Sequence, residues 1–221
     1  MTGVGATPAD VAAVLRRLSY PGDPLAWSEE QRRELARTVR ERTKPLVVVA
    51  NKADIAPEGN LERLQAAADM MVPATAEGEL ALRRGAEAGL VGYDPGDEGF
   101  TIESAVSDEQ RAGLERVRGV AEEWGGTGVQ QAIDTVVYDL LDQVTVYPVE
   151  NETRWTDGQG RTLPDAHLLA RGATPEDLAY AVHSDIGDGY LHAVDARAGR
   201  RISDDHELSE GDVVKIVSTA T

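Results

Sequence analysis

The chain has 221 residues, is 41% hydrophobic and contains no cysteine, which allows one large or two small domains with a proper core and excludes disulfides and thiolate metal sites. No apolar run approaches the ~20 residues of a membrane helix, and MTGVGATPAD has neither the basic nor the apolar region of a signal peptide, so a cytoplasmic location is the default and no membrane partner is expected. Asp and Glu number 39 against 22 Lys and Arg, a net charge of −17; read as a solvent adaptation this says little about partners, among which DNA is not expected.

Thr7-Pro8 opens the apolar series Val11, Val14, Leu15, Leu18. A threonine N-cap followed by proline at the first helical position predicts a helix, and YPGDP, Tyr20 to Pro24, ends it. Ser28 with Gln31 three residues on has the form of a capping box, predicting a second helix to about Arg42 that Lys44-Pro45 terminates. Leu46 to Ala50 is a β-branched apolar run, expected as a strand buried on both faces of a parallel sheet. Pro57 to Ala68 reads as a helix, Met71 to Pro73 as a strand and Glu77 to Ala88 as another helix. That alternation belongs to an α/β domain. GYDPGDEG, Gly92 to Gly99, is a turn-rich break. Helices are expected over about Ser107 to Trp124 and Val129 to Leu141, with GGTG between them as stop and cap.

Composition shifts near Gln143. VTVYPV, Val144 to Val149, alternates like a strand, and NETRWTDGQG is a turn segment. Ala166 to Ala170 is a further candidate strand. Thr174-Pro175 starts a helix through His183, and Tyr190 to Ala196 and Asp212 to Ser218 are strands. A strand meander crossed by one helix is a β-grasp pattern. The fold class expected is therefore α/β followed by a small α+β β-grasp domain, divided at 142/143, with a helical segment over about 92–142 closing the first part.

The acid is spread along the chain and lysine is scarce: Lys44, Lys52 and Lys215 only. Such a surface repels itself at ordinary salt. In molar salt the Debye length falls to ~3 Å. The composition fits a halophile with a salt-filled cytoplasm, and the alternative is a merely acidic mesophile protein.

The stretch LVVVANKADI, Leu46 to Ile55, carries the chemistry. An amide, an ammonium and a carboxylate follow a buried-type strand within four positions. A guanine presents N1–H and its N2 amino group as adjacent donors, and one carboxylate, Asp54, can accept both. Adenine lacks that pair, and an unpaired buried carboxylate is costly. Asn51 can bond a base edge and a neighbouring loop, and the aliphatic stem of Lys52 can lie along the base. All three stand past the C-terminal end of a strand, where open α/β sheets bind ligands. The bland alternative is that Asn51 and Asp54 merely cap a turn. No residue set suggests catalysis or metal binding. His167, His183, His192 and His206 show no paired metal spacing, HSDIGDG fits a helix end and turn, and Ser104 and Ser107 have no adjacent base.

LVVVANKAD, VPATAEGELALRRGAEAGLV, GTGVQQAIDTVVYDLLDQVTVYPVE and LPDAHLLARGATPEDLAYAVHSDIGDGYLHAVDARAGRRISDDHELSEGDVVKIV closely resemble the archaeal branch of the Obg–DRG–YchF translation-associated GTPases. The resemblance implies that Asn51, Lys52 and Asp54 select guanine, and that Ala74, Thr75 and Ala76 form the loop whose backbone N–H contacts O6, with Thr75 where serine is usual. It implies GTP as the nucleotide and a C-terminal TGS domain that engages ribosome or RNA. Within that stretch Trp155 and Tyr190 are candidate stacking residues, and the Arg200-Arg201 pair either contacts RNA phosphate or, the favoured alternative, is a hairpin turn with solvated charges. No GxxxxGK[ST] occurs in the sequence, and no DxxG precedes Asn51. Phosphate and Mg²⁺ binding carry the chemistry of such enzymes. The chain therefore resembles the back part of a GTPase, expected to hydrolyse nothing alone and to bind nucleotide weakly. Mg²⁺ is expected only in a longer form that carries the phosphate loop. The alternative is a non-catalytic TGS binding module for ribosome, RNA or a protein.

Overall fold

The computed structural model describes residues 6–20, 22–103 and 106–219. Ser104, and Pro21 of the YPGDP turn, lie outside the described residues. The chain divides into two compact units, Met1–Ala132 and Ile133–Thr221.

The first unit begins with helices α1 (Pro8–Leu18) and α2 (Glu29–Thr43). Their starts are chemical. Thr7 and Asp10 form a capping box under Pro8, and Ser28 and Gln31 form another; each satisfies amides that a helix N-terminus leaves unpaired. Apolar spacing then brings Val14, Leu35 and Val39 together with Trp27 in a small core, and Tyr20 meets Trp27 edge to face at 5.5 Å.

Strand β1 (Val48–Asn51) pairs in parallel with β2 (Met71–Ala74), and helix α3 (Asn60–Ala67) lies between them in sequence. The expectation of a strand buried on both faces is overturned. Only Ala50 of β1 is buried, while Val48 is 37% and Val49 45% exposed. The reason is topological: this sheet has two strands among the described residues, so the apolar run has a partner along one edge and little cover on its faces.

Helix α4 (Ala76–Glu87) follows β2 at once, N-capped by Thr75. The segment read as a plain break contains a short antiparallel pair, β3 (Val91–Gly92) with β4 (Thr101–Ile102). Helix α5 (Asp108–Trp124) starts in a Ser107–Gln110 capping box and stops at Gly125, whose φ of 73° is the left-handed conformation that favours glycine. Leu82, Val91, Tyr93, Leu114 and Val117 form the core between α4, α5 and this pair. The expected helix over 129–141 is two structures: α6 (Val129–Asp134) is α-helical, and Thr135–Leu140 winds as a π-helix.

The second unit is one five-stranded mixed sheet in the order β6-β5-β9-β7-β8. Its strands are β5 (Gln143–Val149), β6 (His167–Ala170), β7 (Tyr190–Asp195), β8 (Arg200–Ile202) and β9 (Asp212–Ser218). β5 and β9 run parallel and the other pairs antiparallel. Helix α7 (Pro175–Val182) starts in the Thr174–Asp177 capping box and buries Leu178 against Val144, Val146, Ala193 and Val214. That is a β-grasp fold. HSDIGDG is a one-turn helix, α8 (Ser184–Asp188), N-capped by His183 Nδ1. The Arg200-Arg201 pair lies in β8 and not in the turn before it.

Candidate functional site

β1 and β2 are parallel and in register, Asn51 opposite Ala74, so both strand ends open at the same edge of the sheet. Asn51 is the last residue of β1. Its Oδ1 accepts from the Lys52 amide at 2.8 Å and from the Ala76 amide at 3.1 Å. One side chain thus joins the NKAD turn to the loop after β2, across 25 positions of sequence. Lys52 sits at φ 66°, ψ 35°, a left-handed conformation that costs a non-glycine residue ~1–2 kcal/mol. Such outliers persist where the surroundings enforce them; here the Asn51 side chain holds the Lys52 amide. Ala53–Ile55 then makes a single 3-10 turn with Ala53 buried. Asp54 is half-buried at its centre, and among the described residues its carboxylate has no hydrogen-bond donor or ion-pair partner. The exposed Lys52 ammonium is likewise unpaired among them.

The loop after β2 is held more firmly. Ala74 and Thr75 are each 1% exposed. Thr75 Oγ1 accepts the Gly78 amide, capping α4, and the Thr75 amide donates to the Thr127 carbonyl at 2.8 Å. Gly128, at φ 80°, presses on the same loop: a Cβ there would stand 1.9 Å from the Pro73 carbonyl oxygen. Behind this loop lies a carboxylate that sequence reasoning missed. Glu79, on α4, is 5% exposed. It accepts from Tyr93 Oη at 2.6 Å and Arg83 Nε at 2.6 Å, and from the Thr127 hydroxyl. Burial pushes its pKa up, but the hydrogen bonds from Thr127, Tyr93 and Arg83, with the Arg83 charge, outweigh burial and hold the carboxyl below its ordinary value. The partner phenol moves the other way: burial, then the Glu79 carboxylate, pushes Tyr93 up to about 12. The Arg83 pair at i, i+4 was visible in the sequence; the bond to Thr127, 48 positions away, was not.

The structure therefore brings Asn51, Lys52, Asp54, Ala74, Thr75 and Ala76 to one sheet edge. The arrangement offers a free carboxylate, an amide-bearing loop at a helix start and an aliphatic stem, which is donor and acceptor chemistry for a flat heterocycle. Among the described residues no group of His, Asp and Glu could hold a metal ion. In the second unit, Trp155 and Tyr190 are occupied. Trp155 Nε1 donates to the Ala196 carbonyl, its ring carries the Arg197 guanidinium at 5.0 Å, and it packs with Val149, Ala196 and Val213. Tyr190 packs against the β-grasp core and donates to Asp204.

An α/β unit whose parallel strand ends open at one polar edge, followed by a β-grasp unit, is an arrangement shared by nucleotide-binding proteins with an appended TGS module. Comparison with known proteins agrees. Residues 49–151 match the model described as "Obg-like GTPase YGR210-like, G4 motif-containing domain", and residues 159–218 match the TGS domain. Over these two segments the chain is thus similar to an Obg-like G4 motif-containing domain followed by a TGS domain. It is 38% identical over its whole length to an uncharacterized GTP-binding protein of Methanocaldococcus jannaschii, covering 56% of that protein. It is 25% identical over 82% of its length to an uncharacterized GTP-binding protein of Schizosaccharomyces pombe, covering 47% of it. The crystal structure of a GTP binding protein from Pyrococcus horikoshii superposes with a TM-score of 0.70 at 37% identity, over 99% of this chain and 58% of that one. The chain spans about half the length of these relatives.

Proposed function

We propose that the first unit is the guanine-recognising part of an Obg-like GTPase and that the second is its TGS module. Asn51, Lys52 and Asp54 select guanine, and the loop Ala74, Thr75, Ala76 closes against the base edge. The observation that carries this reading is the bond from the Ala76 amide to Asn51 Oδ1, which ties the two base-reading segments into one rigid edge. The unpaired Asp54 carboxylate is the acceptor that N1–H and N2–H₂ require. GTP and GDP are the ligands on this reading. Phosphate and Mg²⁺ binding and hydrolysis are not assigned to residues of this chain, which has no GxxxxGK[ST]. The TGS unit, with its own core, engages ribosome or RNA in a cytoplasmic, translation-linked role, in a halophilic archaeal setting that suits the charge.

The test is nucleotide titration of the purified chain followed by backbone amide NMR. Guanine nucleotides are expected to shift residues 51–55 and 74–77, and adenine nucleotides to do so at least about tenfold more weakly. Asp54→Asn should move the preference from guanine toward xanthine, because an amide donates where the carboxylate accepted. An unchanged guanine preference in that variant would sink the assignment.

A further inference from the structure

Fixing a loop that reads a base requires support from behind. We infer that Glu79 and the glycine-rich segment 125–128 are positioning elements of the base site: they set where the α4 start stands and so how the site reads position 6 of a purine. This rests on the guanine-site reading above. The support has three layers. The Thr127 carbonyl takes the Thr75 amide at 2.8 Å. The Gly128 Cα, with no side chain, lets the backbones of the two segments touch. The Thr127 hydroxyl and Tyr93 phenol both donate to Glu79 Oε2, and Arg83 to Oε1. Gln131 Nε2 adds an outer tie, donating to the Trp124 and Gly125 carbonyls.

The consequence is geometric. The first-turn amides of α4 have no carbonyl one turn back to bond. The Ala76 amide among them meets Asn51 and the Gly78 amide meets Thr75 Oγ1, which leaves the Glu77 amide of the same turn as the donor for a purine oxygen at position 6. Asp54, by contrast, sits on the β1 side and reads positions 1 and 2. Disturbing Glu79 should therefore damage reading at position 6 and leave reading at position 2 intact. A residue needed only for folding would weaken both together.

The experiment compares GDP, 6-thio-GDP and IDP on ¹⁵N-labelled full chain. 6-Thio-GDP differs from GDP only at position 6, and IDP only at position 2. The unaltered protein is expected to prefer GDP over 6-thio-GDP about fivefold, the effect of one hydrogen bond. In Glu79→Gln and Gly128→Ala this ratio should fall toward one while the GDP-to-IDP ratio holds. Thr127→Val should behave like Glu79→Gln, and Thr127→Ser, which keeps the hydroxyl, like the unaltered chain. Variants that retain the GDP to 6-thio-GDP ratio would overturn the inference. If the unaltered chain binds no guanine nucleotide, the base-site reading fails on its own account. The support is then read without ligand, by hydrogen exchange of the Thr75 amide. Its protection should drop about tenfold in Glu79→Gln or Thr127→Val, and unchanged protection overturns the positioning role.

Discussion

Lys52 shows what single residues do here. Its left-handed backbone is imposed by the Asn51 side chain, and glycine would adopt it without steric cost. Relief of ~1–2 kcal/mol of strain is partly offset by the ~0.5–1 kcal/mol entropy cost of glycine, so Lys52→Gly should raise the stability of the first unit by up to about 1 kcal/mol, and, on the proposed function, it should weaken guanine nucleotide binding by removing the stem proposed to lie along the base. A denaturant melt and a GDP titration on the same sample check both halves; a variant that is both less stable and fully binding would contradict the account. Glu79 sets a pH dependence. Its folded pKa lies below its unfolded one, so it adds stability that is present above the ordinary glutamate range and is lost as pH falls through the folded value. Tyr93 runs the opposite way. Raised from 10.0 to about 12, it adds stability that is complete below pH 10 and lost as pH climbs toward 12. Glu79→Gln should flatten the acid limb of stability against pH, measured by urea melts in steps of pH. An acid limb that keeps its slope would place the titration elsewhere.

At the scale of elements, much of the fold was legible because its signals are local. Ser28 with Gln31, Ser107 with Gln110 and Thr174-Pro175 with Asp177 are caps that announce themselves within four positions, and each starts a helix where expected. Of the β-grasp strands, β5 shows apolar alternation at Val144 and Val146, and β9 is a β-branched apolar run broken by Lys215. What escaped was either too short or too distant in sequence. β3 and β4 have two residues each, too few for a period to show. Thr135–Leu140 has the apolar spacing of an α-helix, and only the actual hydrogen bonds make it π. The candidate site followed the same rule. NKAD and PATA could be read from the chain, whereas Glu79 looks like an exposed helical carboxylate until Tyr93 and Thr127 are brought to it. Packing predictions belong at this scale. Leu178 is fully buried under α7, so Leu178→Ala should cost about 2–5 kcal/mol, seen in the melt of the TGS unit; a loss under ~1 kcal/mol would mean the β-grasp core is packed otherwise.

The whole molecule is governed by charge. A net of −17 over 221 residues stores self-repulsion that mobile ions relieve. The eight ion pairs of Lys or Arg with a carboxylate among the described residues are mostly local and exposed, such as Arg33–Glu29 and Arg37–Glu41, and contribute little each. Stability should therefore rise steadily from 0.1 to above 1 M salt as the Debye length falls from ~10 to ~3 Å. Urea midpoints across a NaCl or KCl series test this; a flat series would remove solvent adaptation as the reason for the acidity.

The exposed rim of β1 gives that charge a second meaning. Val48 and Val49 leave apolar side chains uncovered, Leu46 just before them is 61% exposed, and among the described residues the strand pairs on one side only. Such a margin is a template for another chain's strand. At low salt mutual repulsion keeps copies apart. The same ions that steady each copy also lower the barrier between copies, so colloidal and conformational stability pull in opposite directions. A preparation of this chain should then have a bounded working range of ionic strength: loosely folded below it and clustering above it. Light scattering alongside the salt series would locate both edges, and a charge placed on the rim, Val49→Glu, should push the upper edge outward.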